Sequence, residues 1–350
     1  MRDPRAGAEI TETHRLGQVH IAAGASRAVL DRWRQVAPTD LDGTAGPWLA
    51  DAVAHVRSYR RRSRRLTADY VRLLRALRTG ETLPPLDGPA TEEVSLGELR
   101  DRLAASAGAS RLRHTDDHVR VQVDTGYEWP EEDTDAEDRR ATVSLVVTGP
   151  VAAERRISRM QADRQRGRLD DADFLAELDT VMRDAGAGAA GAADRDAQMG
   201  GRDLMEASAH SDRAVIGWAR VTDGDPCWFC AMLASRGAVY RNAWTARYQG
   251  HASRRRGADP GPLPDGWEDW SPERLARWES DRGLNRFHNN CHCTLVPVYS
   301  RTDWVPEAAR QYRELYAEAT EGLNAQEARA AFRAAMDARR ARALSRGLTV

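Results

Sequence analysis

All four cysteines of this 350-residue chain lie between positions 227 and 293, and they form two close pairs. The first pair is Cys227 and Cys230; the second is Cys291 and Cys293, preceded by His288. A Cys-x-x-Cys turn can aim two sulphurs at one metal ion, and a second short cluster can complete the four ligands that zinc prefers. The spacing therefore predicts a zinc site that closes the intervening loop of the chain.

The second cluster offers more candidate ligands than zinc needs. In an extended Cys-x-Cys segment the two sulphurs point to one side, whereas His292 between them points to the other side. The simplest ligand set is therefore the four cysteines, with His288 as the main substitute or as a partner that steadies a thiolate. Because closed, sulphur-rich zinc sites are usually structural, we predict a structural metal.

Two other interpretations of the cysteines are a redox dithiol and a set of buried thiols without a ligand role. Residues 221–226 lack the pattern of a buried strand feeding a helix, which a thioredoxin-like dithiol would need. Clustering of all four cysteines in one region argues against the second interpretation. Zinc remains the preferred prediction.

A catalytic metal would need an open coordination position and a nearby acid or base. The available groups are His288, Asp223, Asp225 and Glu268, but none stands in a spacing such as His-Glu-x-x-His. We therefore predict no enzymatic activity. The alternative is a zinc-dependent nuclease, suggested by a partial His-Asn-His likeness at 288–290 and by the arginines at 254–256.

Overall charge gives no reason to expect nucleic-acid or membrane binding. The chain has 52 basic and 53 acidic residues, and every basic residue is arginine. This bias runs along the whole sequence, so we attribute it to a GC-rich genome rather than to a selected surface. No apolar run approaches about 18 residues, and the N-terminus lacks a signal-peptide core. We expect a protein made in the cytoplasm with no membrane contact.

Hydrophobic periodicity predicts an α+β fold that is mostly helical. Apolar residues at steps of three and four indicate helices from Thr11 or Thr13 to Val36 and from about 48 to 79. Further helices are expected at Leu96–Ala107 with Ser95 as its cap, and at 151–166, 170–185, 196–215 and 306–346. We expect a helical hairpin over 1–80, a linker with a short β segment over 81–150, a helical connector over 151–216, a zinc-binding domain over 217–300 and a helical tail over 301–350.

Several segments carry expectations of their own. Alternating apolar residues at 118–124 predict a strand, and the valine-rich stretch Ala141–Thr148 predicts a second one. The acidic stretch Glu131–Asp138 between them is interpreted as a solvated loop. The Ala/Gly-rich stretch 185–194 has two interpretations, a flexible linker or close helix packing, which sequence alone does not separate.

Seven arginines between Arg57 and Arg72 make a basic run on the second predicted helix. The simpler interpretation is a solvated helix face with acidic partners nearby. The other is a surface that meets phosphates or an acidic partner, including packaged DNA.

The C-terminal half carries a family resemblance in five segments: Gly201–Arg202, Asp212–Arg213, Gly217–Gly224, Pro226–Tyr240 and Phe287–Cys293. The segments His14–Val36, Trp48–Thr79 and Thr148–Pro150 extend the resemblance to the N-terminal region. They resemble the MuF-like minor capsid, or head morphogenesis, proteins of tailed phages, especially those of actinobacteria. The resemblance implies a virion component inside the head, associated with the portal or other head proteins. Its implied role is to assist head assembly or DNA packaging and delivery.

Overall fold

Three long helices form the centre of the protein. They are α1 (Pro4–Trp33), α2 (Leu41–Thr79) and α6 (Asp171–Ser211). The computed structural model describes residues 4–222, 225–237, 291–300 and 307–345. Within these ranges no helix has both the length and the apolar character that crossing a membrane requires.

Shorter elements surround these three helices. The other helices are α3 (Leu96–Ala107), α4 (Thr134–Thr148), α5 (Pro150–Gln165), α7 (Trp228–Ser235), α8 (Glu307–Thr320) and α9 (Ala325–Ser345). The strands are β1 (Glu81–Thr82), β2 (Glu93–Ser95), β3 (Arg120–Val123), β4 (Gly217–Val221) and β5 (Thr294–Val298). The mostly helical α+β class is therefore confirmed.

Two small sheets accompany the helices. In the first, β3 lies between β1, to which it is parallel, and β2, to which it is antiparallel. The strand expected at 118–124 is confirmed as β3, with Val121 and Val123 turned to the core. The second sheet is the antiparallel pair of β4 and β5, and every residue of both strands is buried.

Local capping explains where the predicted helices begin and end. Helix α2 begins after Asp40, whose side chain accepts a hydrogen bond from the Gly43 N–H, and it stops at Gly80 in the left-handed conformation, with φ of 86°. Helix α3 follows the predicted Ser95 cap, and Glu98 completes a capping box with it. These short-range signals can be identified from sequence because their partners lie three or four residues away.

The strand expected at Ala141–Thr148 is wrong, because this stretch is the second half of α4. Asp133 caps the helix, and Ala141, Ser144 and Leu145 are buried at the helical spacing of three and four residues. Contacts of α4 with α2, α5 and α6 outweigh the preference of valine for strands. The acidic stretch Glu131–Asp138 is likewise not a solvated loop throughout, since α4 begins within it.

The Ala/Gly-rich stretch 185–194 lies in the middle of α6, which runs unbroken through the two helices and the linker expected from sequence. Most of the stretch is buried, and small side chains allow α6 to approach α1 and α2 closely. Within the stretch, a Cβ atom on Gly186 would lie 2.7 Å from Nε1 of Trp33, and one on Gly188 would lie 2.9 Å from the carbonyl oxygen of Thr148. Further along α6, one on Gly200 would lie 2.7 Å from the carbonyl oxygen of Arg60. The close-packing interpretation is therefore the correct one.

A Gly200→Ala substitution is expected to destabilise the protein by about 1–3 kcal/mol, because a backbone carbonyl of α2 stands where the methyl group must go. Chemical denaturation followed by circular dichroism measures the change. Gly46→Ala in α2 is the control, since nothing lies within 4 Å of its added Cβ, and it should change stability by less than about 1 kcal/mol. Equal stability losses in the two variants would contradict the close-packing explanation.

Hydrophobic clusters connect segments that are far apart in the sequence. One continuous cluster includes Ile10 of α1, Leu73 of α2, Leu99 of α3 and Leu295 of β5. A separate cluster joins α8 and α9 to α7 through Tyr312, Phe332 and Met336. The domain division at residues 80, 150, 216 and 300 stays a prediction.

Candidate metal centre

The first cysteine pair lies at the start of α7. Cys227 is the N-cap of this helix, and its Sγ accepts a hydrogen bond from the backbone N–H of Cys230 at 3.4 Å. The extended backbone of Cys227 places its side chain against the first turn of the helix, and Cys227 is not one of the three cysteines whose sulphurs lie within 4.8 Å of one another. Cys230 is completely buried, whereas Cys227 is half-buried.

Strand pairing brings the second cysteine pair to the first. Val221, at the end of β4, pairs with Thr294, at the beginning of β5. Cys291 and Cys293 immediately precede β5, and α7 follows shortly after β4, so the two pairs meet at one end of this sheet. Backbone hydrogen bonding between β4 and β5 therefore brings the two cysteine pairs close together in space.

The thiol groups are close enough to share one metal ion. The Sγ atoms of Cys230, Cys291 and Cys293 all lie within 4.8 Å of one another, and those of Cys230 and Cys291 are 4.0 Å apart. Tetrahedral zinc with Zn–S bonds of about 2.3 Å places its sulphur ligands about 3.8 Å apart. None of the four cysteines is in a disulfide. The three thiols of Cys230, Cys291 and Cys293 are thus close enough to hold one metal ion.

Of the two histidines beside the second cysteine pair, His292 lies within the described residues and His288 does not. His288 lies outside the described residues, as do Asp223, Glu268 and the arginines at 254–256. The Nε2 atom of His292 lies 3.6 Å from Oδ2 of Asp194 in α6. Asp225, considered above as an acid or base, accepts two hydrogen bonds of 2.9 Å from Nε of Arg340 in α9.

Two buried arginines surround the sulphur cluster. Nη2 of Arg220 in β4 donates to Sγ of Cys230 at 3.3 Å and to Sγ of Cys291 at 3.7 Å. Nη2 of Arg202 in α6 donates to the carbonyl oxygens of Cys291 and Cys293, the latter at 3.1 Å. The guanidinium groups of Arg202 and Arg220 therefore lie beside cysteines that would become negatively charged thiolates on binding a metal.

The pKa values of these groups reflect their burial and mutual contacts. Contacts with Cys227, Cys291 and Cys293, together with burial, raise the pKa of the Cys230 thiol. The contact with Cys230 lowers the pKa of Cys293, but contact with Cys291 and burial outweigh it and raise that pKa to about 12. Burial lowers the pKa of Arg202. These contacts and burial therefore favour the protonated form of the Cys230 and Cys293 thiols.

Sequence reasoning identified the cysteines but not the role of Arg202. This arginine is separated from Cys291 by 89 positions. No short-range motif connects the two, and the chain contains 52 arginines from which to choose. The direct contact of Arg220 with two sulphurs is likewise evident only in the structure.

The arginine run on α2 faces carboxylates over much of its length. Arg60 is buried and lies 2.7 Å from Glu132 and 3.1 Å from Glu137. Arg57 contacts Asp138, and Arg65 contacts Asp87. The predicted acidic partners are therefore present, and part of this run is not a solvated face.

Comparison with known proteins defines the family. A family model described as VG15 protein matches residues 111–319, which is more than half of the chain. The chain belongs to the VG15 protein family. The matched region includes all four cysteines and both buried arginines of the candidate metal centre.

Two curated relatives of this VG15 chain come from bacteriophages. It is 29% identical to the Gene 15 protein of Mycobacterium phage L5 over 136 residues, which cover 37% of this chain and 46% of the relative. It is 30% identical to the Gene 15 protein of Mycobacterium phage D29 over 122 residues, or 33% of this chain and 42% of the relative. These matches thus span less than half the length of either relative, and no solved structure matches.

The expected relationship to phage proteins is confirmed at this level. The family match and both relatives identify the VG15 chain as a phage-type protein. Its assignment to the MuF-like minor capsid proteins stays a prediction.

Proposed function

We propose that this VG15 chain is a minor structural protein of the phage head, associated with the portal or other head proteins. Within the head it assists assembly or the packaging and delivery of DNA. The observation that carries the proposal is the family match, which extends across the whole candidate metal centre, together with the similarity to two phage gene products. The cysteine motifs that carry the MuF-like resemblance lie in the same region.

The proposal includes one structural zinc ion held by Cys227, Cys230, Cys291 and Cys293. Cys230, Cys291 and Cys293 are each no more than 3% exposed, which favours a closed site over one that admits a substrate. Zinc would connect the start of α7 to the segment before β5, which the pairing of β4 with β5 already brings together. The fourth position is assigned to Cys227 because its side chain contacts Cys230.

A non-enzymatic role is part of the same proposal. Within the described part of the chain, the thiols of Cys230, Cys291 and Cys293 are buried, which favours a role in holding the domain together over one that admits a metal-bound water and a substrate. The small cavity beside Cys293 is lined by His14, Gln18, Thr67 and Arg202 and has a volume of about 10 Å³. That volume holds about one water molecule and no larger substrate.

Head proteins are proposed as the main partners, and packaged DNA through the Arg57–Arg72 face is the weaker proposal. Phosphate binding relies on exposed positive charge. Contacts of Arg57, Arg60 and Arg65 with carboxylates reduce the charge that this face can offer. Binding of duplex DNA at low salt, with a steep loss as salt is added, would support the DNA proposal.

The location of the chain in phage particles tests the proposed function. We expect mass spectrometry of purified particles to detect the chain at low copy number, and fractionated heads to retain it after tails are removed. A non-structural protein of the same phage serves as the control for carry-over. Absence of the chain from particles in which the portal protein is readily detected would contradict the proposal.

A further inference from the structure

The side chain of Arg220 lies in the interior beside the sulphur cluster. It is 1% exposed, and it extends from the middle of β4, where its backbone pairs with Leu295 of β5. Nη2 reaches Sγ of Cys230 at 3.3 Å and Sγ of Cys291 at 3.7 Å. A buried guanidinium is costly unless an anion compensates its charge, so the character of these sulphurs matters for folding.

The groups that accept the hydrogen bonds of this guanidinium are the sulphurs of Cys230 and Cys291. A neutral thiol is a weak hydrogen-bond acceptor and compensates little positive charge. Metal binding converts thiols to thiolates and releases their protons. Zinc with four thiolates carries two net negative charges, and zinc with three thiolates and one imidazole carries one. Either complex would place negative charge directly beside the guanidinium of Arg220.

We propose that Arg220 is the internal counter-ion of the metal–thiolate cluster and positions the sulphurs of Cys230 and Cys291 by donating hydrogen bonds to them. This inference rests on the proposed zinc site. It assigns Arg220 a role in metal affinity, beyond support of the β4–β5 sheet. The two charges stabilise each other: the thiolates stabilise the buried guanidinium, and the guanidinium stabilises the thiolates.

Arg202 has a different relation to the cluster. It donates to the carbonyl oxygens of Cys291 and Cys293 and to Oε1 of Gln198, so it holds the backbone of the second cysteine pair. Removing Arg202 should therefore weaken metal binding less than removing Arg220.

The test compares zinc affinities of the full chain by competition with a chromophoric chelator. In Arg220→Met the charge and the donors are lost, and we expect zinc affinity to fall roughly 10–100-fold, the usual effect of losing a group that contacts metal ligands. Arg220→Lys keeps the charge and should retain affinity to within about tenfold of wild type. Arg220→Gln keeps a donor without charge and should resemble the Met variant.

A buried arginine outside the cluster provides the matched control. Arg75 of α2 is also buried, and its Nε donates to Asp212 at 3.0 Å. Arg75→Met should lower stability while leaving zinc affinity near the wild-type value. Cobalt substitution gives a second readout, because the thiolate-to-cobalt absorption band should shift in Arg220→Met and stay unchanged in Arg75→Met.

The possible failures are distinct. If wild type binds zinc and Arg220→Met binds it equally well, the counter-ion inference is overturned while the zinc site stands. If wild type binds no zinc, the proposed site itself fails. If Arg220→Met does not fold, the test uses Arg220→Lys and Arg220→Gln instead. Equal losses of zinc affinity in these two variants would contradict the proposal that the positive charge of Arg220 supports zinc binding.

Discussion

A Cys230→Ser variant is expected to bind less than a tenth of the zinc of wild type and to lose more than about 4 kcal/mol of stability in its C-terminal region. Wild type should contain about one zinc ion per chain. Cys230 is completely buried among the other thiols, so its loss removes a ligand that no solvent-exposed group can replace. Elemental analysis and thermal unfolding measure the two effects.

Loss of the metal should also affect the two C-terminal helices. Helix α7 has only eight residues, and isolated helices of that length are unstable in water. Cys230 of α7 belongs to the sulphur cluster. Ala231, Met232 and Ala234 of the same helix pack in one hydrophobic cluster with Tyr312 and Phe332. We expect α8 and α9 to become sensitive to limited proteolysis when the metal is removed by chelation or by Cys230→Ser.

Ser235→Ala is the matched control for this experiment, because it changes the same helix without touching a sulphur. It removes a hydrogen bond of 2.8 Å from Ser235 Oγ to the carbonyl oxygen of Met232, worth about 1 kcal/mol. Zinc content and protease resistance should stay at the wild-type level. A Cys230→Ser protein with normal zinc content would contradict the proposed ligand set.

An Arg60→Met variant is expected to lose about 3–5 kcal/mol of stability, the usual effect of removing one partner from a buried ion pair. The side chain of Arg60 extends from α2 to Glu132 and to Glu137 of α4. Its Nη1 donates to the carbonyl oxygen of Asp196 in α6. Burial alone would lower the pKa of Arg60, but the two carboxylates raise it above its usual value. Chemical denaturation at neutral pH measures the loss.

The pH dependence of this variant distinguishes lost charge from lost packing. Burial already raises the pKa of Glu137, and removing Arg60 takes away a cation that lowers it. In the variant, Glu137 therefore binds a proton more readily in the folded state than in the unfolded state. The loss of stability relative to wild type should then shrink as the pH falls from 8 to 5.

Arg65→Met is the matched control for Arg60→Met. Arg65 belongs to the same run, but the ion pair with Asp87 is largely exposed on both sides. Its loss should cost less than about 1 kcal/mol. Equal losses at positions 60 and 65 would show that burial of the ion pair does not determine its contribution.

Helix ends and the cysteine pairs were predictable because their signals are local. The cap at Ser95, the stop at Gly80 and the Cys-x-x-Cys turn at Cys227 each act over three or four residues. The Ala141–Thr148 segment was not predictable in the same way. Its valines favour a strand locally, and only contacts with α2, α5 and α6 make it a helix.

By itself, the sequence determined a mostly helical fold and a sulphur cluster made by two cysteine pairs, since periodicity, caps and ligand spacing are encoded by neighbouring residues. Only the tertiary structure decided that the Ala/Gly stretch packs inside α6, that Arg60 is buried against α4 and that Arg202 and Arg220 surround the cysteines. The physical reason is distance along the chain. Burial and charge compensation join residues separated by tens of positions, and their partners are set by how the helices and strands pack.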